Sequence, residues 1–131
     1  FYEMQSVLLV GNIGKLVKLA AGIMNTHSRI ADGRWEIFAA HAALCGADTK
    51  LIHELLQFVG TEMMLQVLEK EGWRDSVMQS ICKQIDLHLD SWRSEHFKIG
   101  LMIYSGKFGL VGKTCQAEDI LREIRLERKE S

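Results

Sequence analysis

Apolar and polar positions change period several times along this chain, and each change marks an element. Ser6–Val10 reads SVLLV, an unbroken apolar run stopped by Gly11. Such a β-branched and Leu-rich run suits a strand covered on both faces, as in a parallel sheet. Gly11-Asn12-Ile13-Gly14 is a turn, and Lys15–Ala21 opens a helical pattern, which together form the first half of a βαβ unit. From Arg29 to Cys45 the period is helical again. Ile30, Ile37, His41 and Leu44 fall on one stripe, with Arg29, Asp32 and Glu36 opposite, and Gly46 is placed to end the helix. Asp48 or Thr49 can cap the next helix, whose Ile52, Leu55, Leu56 and Val59 run up to Gly60. Thr61 is the expected cap of a third, carrying Met64, Val67 and Leu68 and stopped by Gly72. Asp75 is the expected cap of a fourth, with Val77, Ile81, Ile85, Leu89 and Trp92 on its apolar face.

At Lys98–Tyr104 the pattern becomes apolar and extended. Ser105–Gly109 is a turn, and Leu110–Thr114 returns as the second arm of a hairpin. Ala117–Ile124 begins a last helix that runs into the charged tail Arg125–Glu130. The expectation is one α/β domain over 1–131: a small, mainly parallel sheet, a C-terminal hairpin and several covering helices. Two or three strands are few for a sheet, whose usual size is ~4–6. Missing strands are therefore expected, with the chain a portion of a larger sheet domain. A first residue that is Phe1 rather than Met points the same way.

Composition narrows the class. The 131 residues are 47% apolar and 25% charged, with 16 Lys+Arg against 17 Asp+Glu. That balance supports a packed core and offers no basic excess for nucleic acid. No proline interrupts the helices. No apolar stretch approaches the ~20 residues of a membrane span, and no charged-then-apolar leader opens the chain. Cys45, Cys82 and Cys115 are odd in number and widely spaced, which suits reduced thiols and a cytoplasmic protein.

Familiar loops fail on spacing. Gly112-Lys113-Thr114 would need its first phosphate-loop glycine at Lys107, and Gly14-Lys15 would need it at Leu9. Gly11 and Gly14 lack the third glycine of a dinucleotide fingerprint. His41 and Cys45 share a helix face at i, i+4 but sit on an apolar stripe with no third ligand at motif spacing, so no metal site is expected. Two features keep functional weight. The glycine turn lies at the carboxyl end of a strand, where open α/β sheets hold ligands, with Lys15 as a cation beside it. Alternatively, the turn only positions the helix. Asn25-Thr26-His27-Ser28-Arg29 with Asp32 is the densest polar cluster. It can anchor a carboxylate and move a proton, or serve only as a helix cap with an Arg29–Asp32 pair.

Residues Ser6–Ala47 resemble the carboxyl-terminal part of the CbiD family, the cobalt-precorrin-5B C1-methyltransferases of anaerobic cobalamin biosynthesis. The family pattern G-[HN]-x-G-K-x-x-K-L-A falls on Gly11, Asn12, Gly14, Lys15, Lys18, Leu19 and Ala20. T-H-S-R-x-A-D falls on Thr26, His27, Ser28, Arg29, Ala31 and Asp32. The family's amino-terminal Thr/Gly/Cys-rich segment has no counterpart in this chain. The resemblance implies methyl transfer from S-adenosyl-L-methionine to C-1 of a cobalt-containing tetrapyrrole, with cobalt arriving inside the substrate. On that footing Gly11, Asn12, Gly14 and Lys15 are expected to line the donor. Thr26, Ser28, Arg29 and Lys18 are expected to bind the macrocycle, with His27 and Asp32 as catalytic residues. The expected partners are that substrate and the amino-terminal region of the same protein, with self-association open. The competing expectations are a non-catalytic assembly or ligand-binding module and, third, a nucleotide-binding domain.

Overall fold

The computed structural model describes residues 5–21, 34–57 and 60–130. Its elements run β1 (Gln5–Asn12), α1 (Ile13–Leu16), a short 3-10 helix (Val17–Ala21), α2 (Arg34–Leu44), α3 (Thr49–Leu56) and α4 (Thr61–Lys70). They continue with α5 (Arg74–Leu89), β2 (Phe97–Ser105), β3 (Gly109–Lys113) and α6 (Ala117–Glu130). The sheet order is β1-β2-β3, with β1 parallel to β2 and β3 antiparallel to it. This is the expected α/β architecture: a small mixed sheet and its hairpin among covering helices.

The local signals explain most of the element ends. Gly46 at φ 102° closes α2, with the Gly46 N–H donating to Ala43 O and the Ala47 N–H to Ala42 O. Gly72 at φ 80° does the same for α4 through Trp73 N–H to Leu68 O at 2.8 Å. These are paired bonds that use up helix-end carbonyls. Asp48 caps α3 by accepting from Leu51 N at 3.0 Å.

Three capping and register expectations are corrected. The α4 N-cap is Gly60, so Thr61 is already helical and buried. The α5 N-cap is Trp73, because the turn at Gly72 delivers the chain straight into the helix, and Asp75 sits inside the first turn. Trp92 lies beyond the end of α5 at Leu89 and is exposed. The helix expected over 29–45 is described from Arg34, and residues 58 and 59 lie outside the described residues.

The core is one cluster between the sheet and α2–α5. Phe38, Leu55, Met64, Leu65, Leu68, Met78, Ile81 and Ile85 meet Ile99, Leu101 and Ile103 of β2 there, all buried. The opposite face of β2 carries α6. Gly100 makes that approach possible: a Cβ there would stand 2.7 Å from the Ala117 Cα and 2.9 Å from its nitrogen. Polar ties hold the same seam. Lys98 Nζ lies 2.7 Å from Glu123 Oε1, Ser6 Oγ donates to Glu123 Oε2, and Thr114 Oγ1 accepts from Leu101 N at 2.8 Å. The bond from Lys98 holds the Glu123 carboxyl below its ordinary range.

β1 departs from expectation. The apolar run that predicts double coverage is an edge strand, with Val7, Leu9 and Val10 exposed. Among the described residues β2 is its sole strand neighbour.

Candidate functional site

Strands β1 and β2 run parallel, so their carboxyl ends, Asn12 and Ser105, lie on the same edge of the sheet. Ligands of open α/β sheets bind at such an edge. Asn12 closes β1 in extended conformation, and its Oδ1 accepts from Gly14 N at 2.8 Å, turning the chain into α1. Neither Gly11 nor Gly14 has a positive φ, so their value is space rather than backbone freedom. A Cβ on Gly14 would lie 3.2 Å from Asn12 Oδ1, 3.3 Å from Thr61 Oγ1 and 3.9 Å from Arg34 Nη1. A Cβ on Gly11 would meet Leu16 Cδ1 at 3.0 Å. Gly14 is thus the point where β1, the start of α2 and the start of α4 converge.

One residue beyond Thr61, Glu62 ties this convergence to the hairpin. Its Oε1 accepts from Ser105 Oγ at 2.5 Å and its Oε2 from Gly106 N at 2.9 Å. Ser105 Oγ in turn accepts from the N–H groups of Lys107 and Phe108, both at 3.1 Å. The Arg74 guanidinium lies 4.7 Å from the Phe108 ring centroid, and Gly109 at φ 72° closes the turn. The turn's amides therefore already hold a carboxylate and a hydroxyl of this chain. Lys113 pairs with Glu118 and Thr114 is buried against Leu101, so the Gly-Lys-Thr run is the end of a strand.

The edge collects Gly11, Asn12, Gly14 and Lys15, as the residue pattern predicts. Asn12 and Lys15 are exposed, and both glycines are half-buried. Lys18 is different. It lies in the 3-10 helix and is fully buried. Thr26, His27, Ser28, Arg29 and Asp32 lie outside the described residues. Arg34, Thr61, Glu62 and Ser105 join the edge without any sequence signal. They come from three separate elements, and no spacing links them to the glycine turn.

Other titratable groups have structural explanations. His41 is buried, with Nδ1 2.7 Å from Ser80 Oγ across the α2–α5 seam, and desolvation lowers its pKa. Arg93 holds β2 to α5, donating to Ile99 O at 3.1 and 2.7 Å and to Asp86 Oδ1 at 2.6 Å. Asp86 Oδ2 accepts from Cys115 N at 3.0 Å, which fixes the approach to α6. Burial, reinforced by the Asp86 charge, pushes the Cys82 thiol up to about 11. Cys45, Cys82 and Cys115 are all free thiols. Among the described residues no three His, Cys, Asp or Glu side chains group as a metal site, and no helix is long and apolar enough to cross a membrane.

The parallel pair, with its antiparallel hairpin arm and covering helices, defines a small α/β domain. The family model described as CbiD, C-terminal domain, matches residues 25–115, and the chain belongs to that family. Relatives named cobalt-precorrin-5B C(1)-methyltransferase include that of Ruminiclostridium cellulolyticum, 44% identical over 105 residues, or 80% of this chain and 27% of the relative. The Alkaliphilus metalliredigens protein is 34% identical over 125 residues, covering 95% of this chain and 33% of the relative. The Methanobrevibacter smithii protein is 49% identical over 75 residues, covering 57% and 21%. The chain thus spans about a quarter to a third of the length of the first two relatives. No solved structure matches it significantly.

Proposed function

We infer that this chain is the C-terminal portion of a cytoplasmic enzyme that methylates C-1 of cobalt-precorrin-5B from S-adenosyl-L-methionine. The observation that supports the reading is its membership of the CbiD C-terminal domain family, with relatives named cobalt-precorrin-5B C(1)-methyltransferase. The products are cobalt-precorrin-6A and S-adenosyl-homocysteine.

The carboxyl edge of β1 and β2 is a chemically suitable place for the donor. S-adenosyl-methionine ends in a zwitterion, and the edge offers cations at Lys15 and Arg34, a hydroxyl at Thr61, an amide at Asn12 and a carboxylate at Glu62. The donor, when bound, would supply an electrophilic methyl group on its sulfonium sulfur, with the acceptor carbon forming the new bond in line as the S–CH3 bond breaks and the thioether leaves. The chain's own contribution is alignment. Gly14 lets the polar atoms of Asn12, Thr61 and Arg34 gather at one point, and positioning of this kind supplies several kcal/mol of such a barrier. Thr26, Ser28 and Arg29 hold the macrocycle's carboxylates in this reading, with His27 and Asp32 as base and anchor. Lys18 belongs to the same substrate-binding set in this reading.

The test is turnover by the full-length protein with cobalt-precorrin-5B and labelled donor, alongside calorimetry with S-adenosyl-homocysteine. Lys15→Ala is expected to weaken the calorimetric affinity by about 10-fold, which is ~1.4 kcal/mol. Absence of methyl transfer by a folded full-length protein refutes the reading. Unchanged affinity in the variant removes Lys15 from the donor site. A second reading, in which this portion is a non-catalytic assembly module, is favoured by the exposed apolar edge of β1.

A further inference from the structure

We propose that β1 is an interior strand of a larger sheet in the whole protein, its outer edge paired by a strand from the region that lies outside this chain.

The ladder itself shows which groups are waiting. Gln5 N donates to His96 O at 2.8 Å and Gln5 sits opposite Phe97, as in an ordinary parallel ladder. Alternation then directs the N–H and C=O groups of Gln5, Val7, Leu9 and Gly11 towards β2. Those of Ser6, Leu8 and Val10 point to the outer edge. The register with β2 is unbroken over all eight residues, so no bulge twists that edge away. Natural edge strands are blunted by lysine, proline, bulges or short length. SVLLVG has none of the first three, and its strand is eight residues long.

Side chains on both faces make the same demand. Val7, Leu9 and Val10 are 39%, 41% and 60% exposed, in a strand whose composition belongs in an interior. Beside them a wholly apolar cleft of about 260 Å³ is lined by Val7, Leu9, Leu89, Trp92, Phe97 and Ile99. On the α6 side a wider groove runs between the start of β1 and Ile124 and Leu126. An added strand lies ~4.8 Å further out, and its alternating side chains fall over both hollows.

The occupant follows from chain length. This chain spans 27% and 33% of two relatives that share its family, and the family model describes a C-terminal domain. The remaining two thirds of such a protein are tethered to this one. Tethering supplies an effective concentration of about millimolar, far above that of a second copy in solution. The inference stands apart from methyl transfer, since it needs only the longer chain.

The test is amide hydrogen exchange, read residue by residue by NMR on the full-length protein at two concentrations. Val7 and Leu9, which bond inwards, are the internal reference for a formed strand. The expected result is that Leu8 and Val10 amides are also slowed by about 100-fold or more over unstructured peptide, at both concentrations. Cross-strand contacts from those amides are expected to lead to residues outside this chain. Fast exchange at Leu8 and Val10 beside protected Val7 and Leu9 overturns the proposal. So does protection that grows with concentration, which means a second copy, or a partner strand within residues 1–131.

Discussion

Replacing Gly100 by alanine adds one methyl group at the place where β2 and α6 come closest. The new Cβ would stand 2.7 Å from the Ala117 Cα, 2.9 Å from the Ala117 nitrogen and 3.1 Å from Ile120 Cδ1. Ordinary carbon–carbon contact needs ~3.5 Å or more, so backbone must separate from backbone by roughly 0.8 Å. A rotamer change cannot relieve this, because two of the three atoms are main chain. The segment leading into α6 would move with Ala117, and it carries the bonds of Thr114 to Leu101 and of Gln116 Oε1 to Ile99 N. Overpacking of this kind costs ~1–3 kcal/mol. At ~2.1 cal/mol/K per residue of unfolding entropy, 131 residues lose ~4 °C of Tm per kcal/mol. The expected drop is therefore about 4–11 °C by differential scanning calorimetry. Gly60→Ala is the matched control, since a Cβ there meets nothing within 4 Å and its loss is a weak cap alone. A Tm for Gly100→Ala within ~2 °C of the parent, or below the control's loss, refutes the close seating of α6 on the sheet.

Glu62→Ala removes the acceptor for Ser105 Oγ and Gly106 N, and is expected to cost about 1–2 kcal/mol in urea unfolding, since water reaches part of the freed turn. An unchanged urea midpoint removes Glu62 as the anchor of the hairpin. Val10→Pro deletes an outward N–H and Leu9→Pro an inward one, so the first is expected to cost this chain under ~1 kcal/mol and the second about 3 kcal/mol. Equal losses overturn the ladder alternation. Burial lowers the pKa of His41 in the folded state, so unfolding takes up a proton there as pH falls. Stability is expected to decline below the ordinary imidazole value of 6.5 and on through the lower folded value, and to be unaffected by this group above it. His41→Gln should flatten that slope in a Tm–pH series, and an unaltered slope assigns it to other groups.

The parts of the fold legible in the residues were those governed by short-range chemistry. Gly46 and Gly72 end helices because they take positive φ, Asp48 caps because its carboxylate reaches Leu51 N, and Gly109 closes a hairpin for the same conformational reason. Thr61 lies one position inside its helix, since Gly60 and Thr61 are both acceptable caps and the residue types alone do not choose between them. The exposure of β1 was illegible because an apolar run reports what a strand needs, whereas its cover comes from elsewhere. The joint of Arg93, Asp86 and Cys115 gave no signal either, since it joins the region after α5 to the approach to α6 through atoms far apart in sequence. At the candidate site the glycine turn was readable. Arg34, Thr61 and Glu62 were not, because tertiary packing alone brings them there.

The parallel pairing of β1 with β2 has a kinetic consequence. All the helices from α1 to α5 lie between these two neighbours, whereas β2 and β3 are joined by a tight turn. Closing so long a loop costs entropy that only contacts already made by the intervening helices can offset. The hairpin and the α2–α5 cluster can therefore assemble first, and β1 joins β2 last although it precedes both in the chain. Until then the edge of β1 that faces β2 waits unpaired, which makes the order of assembly, and not only the final contacts, a point on which a longer polypeptide succeeds or aggregates.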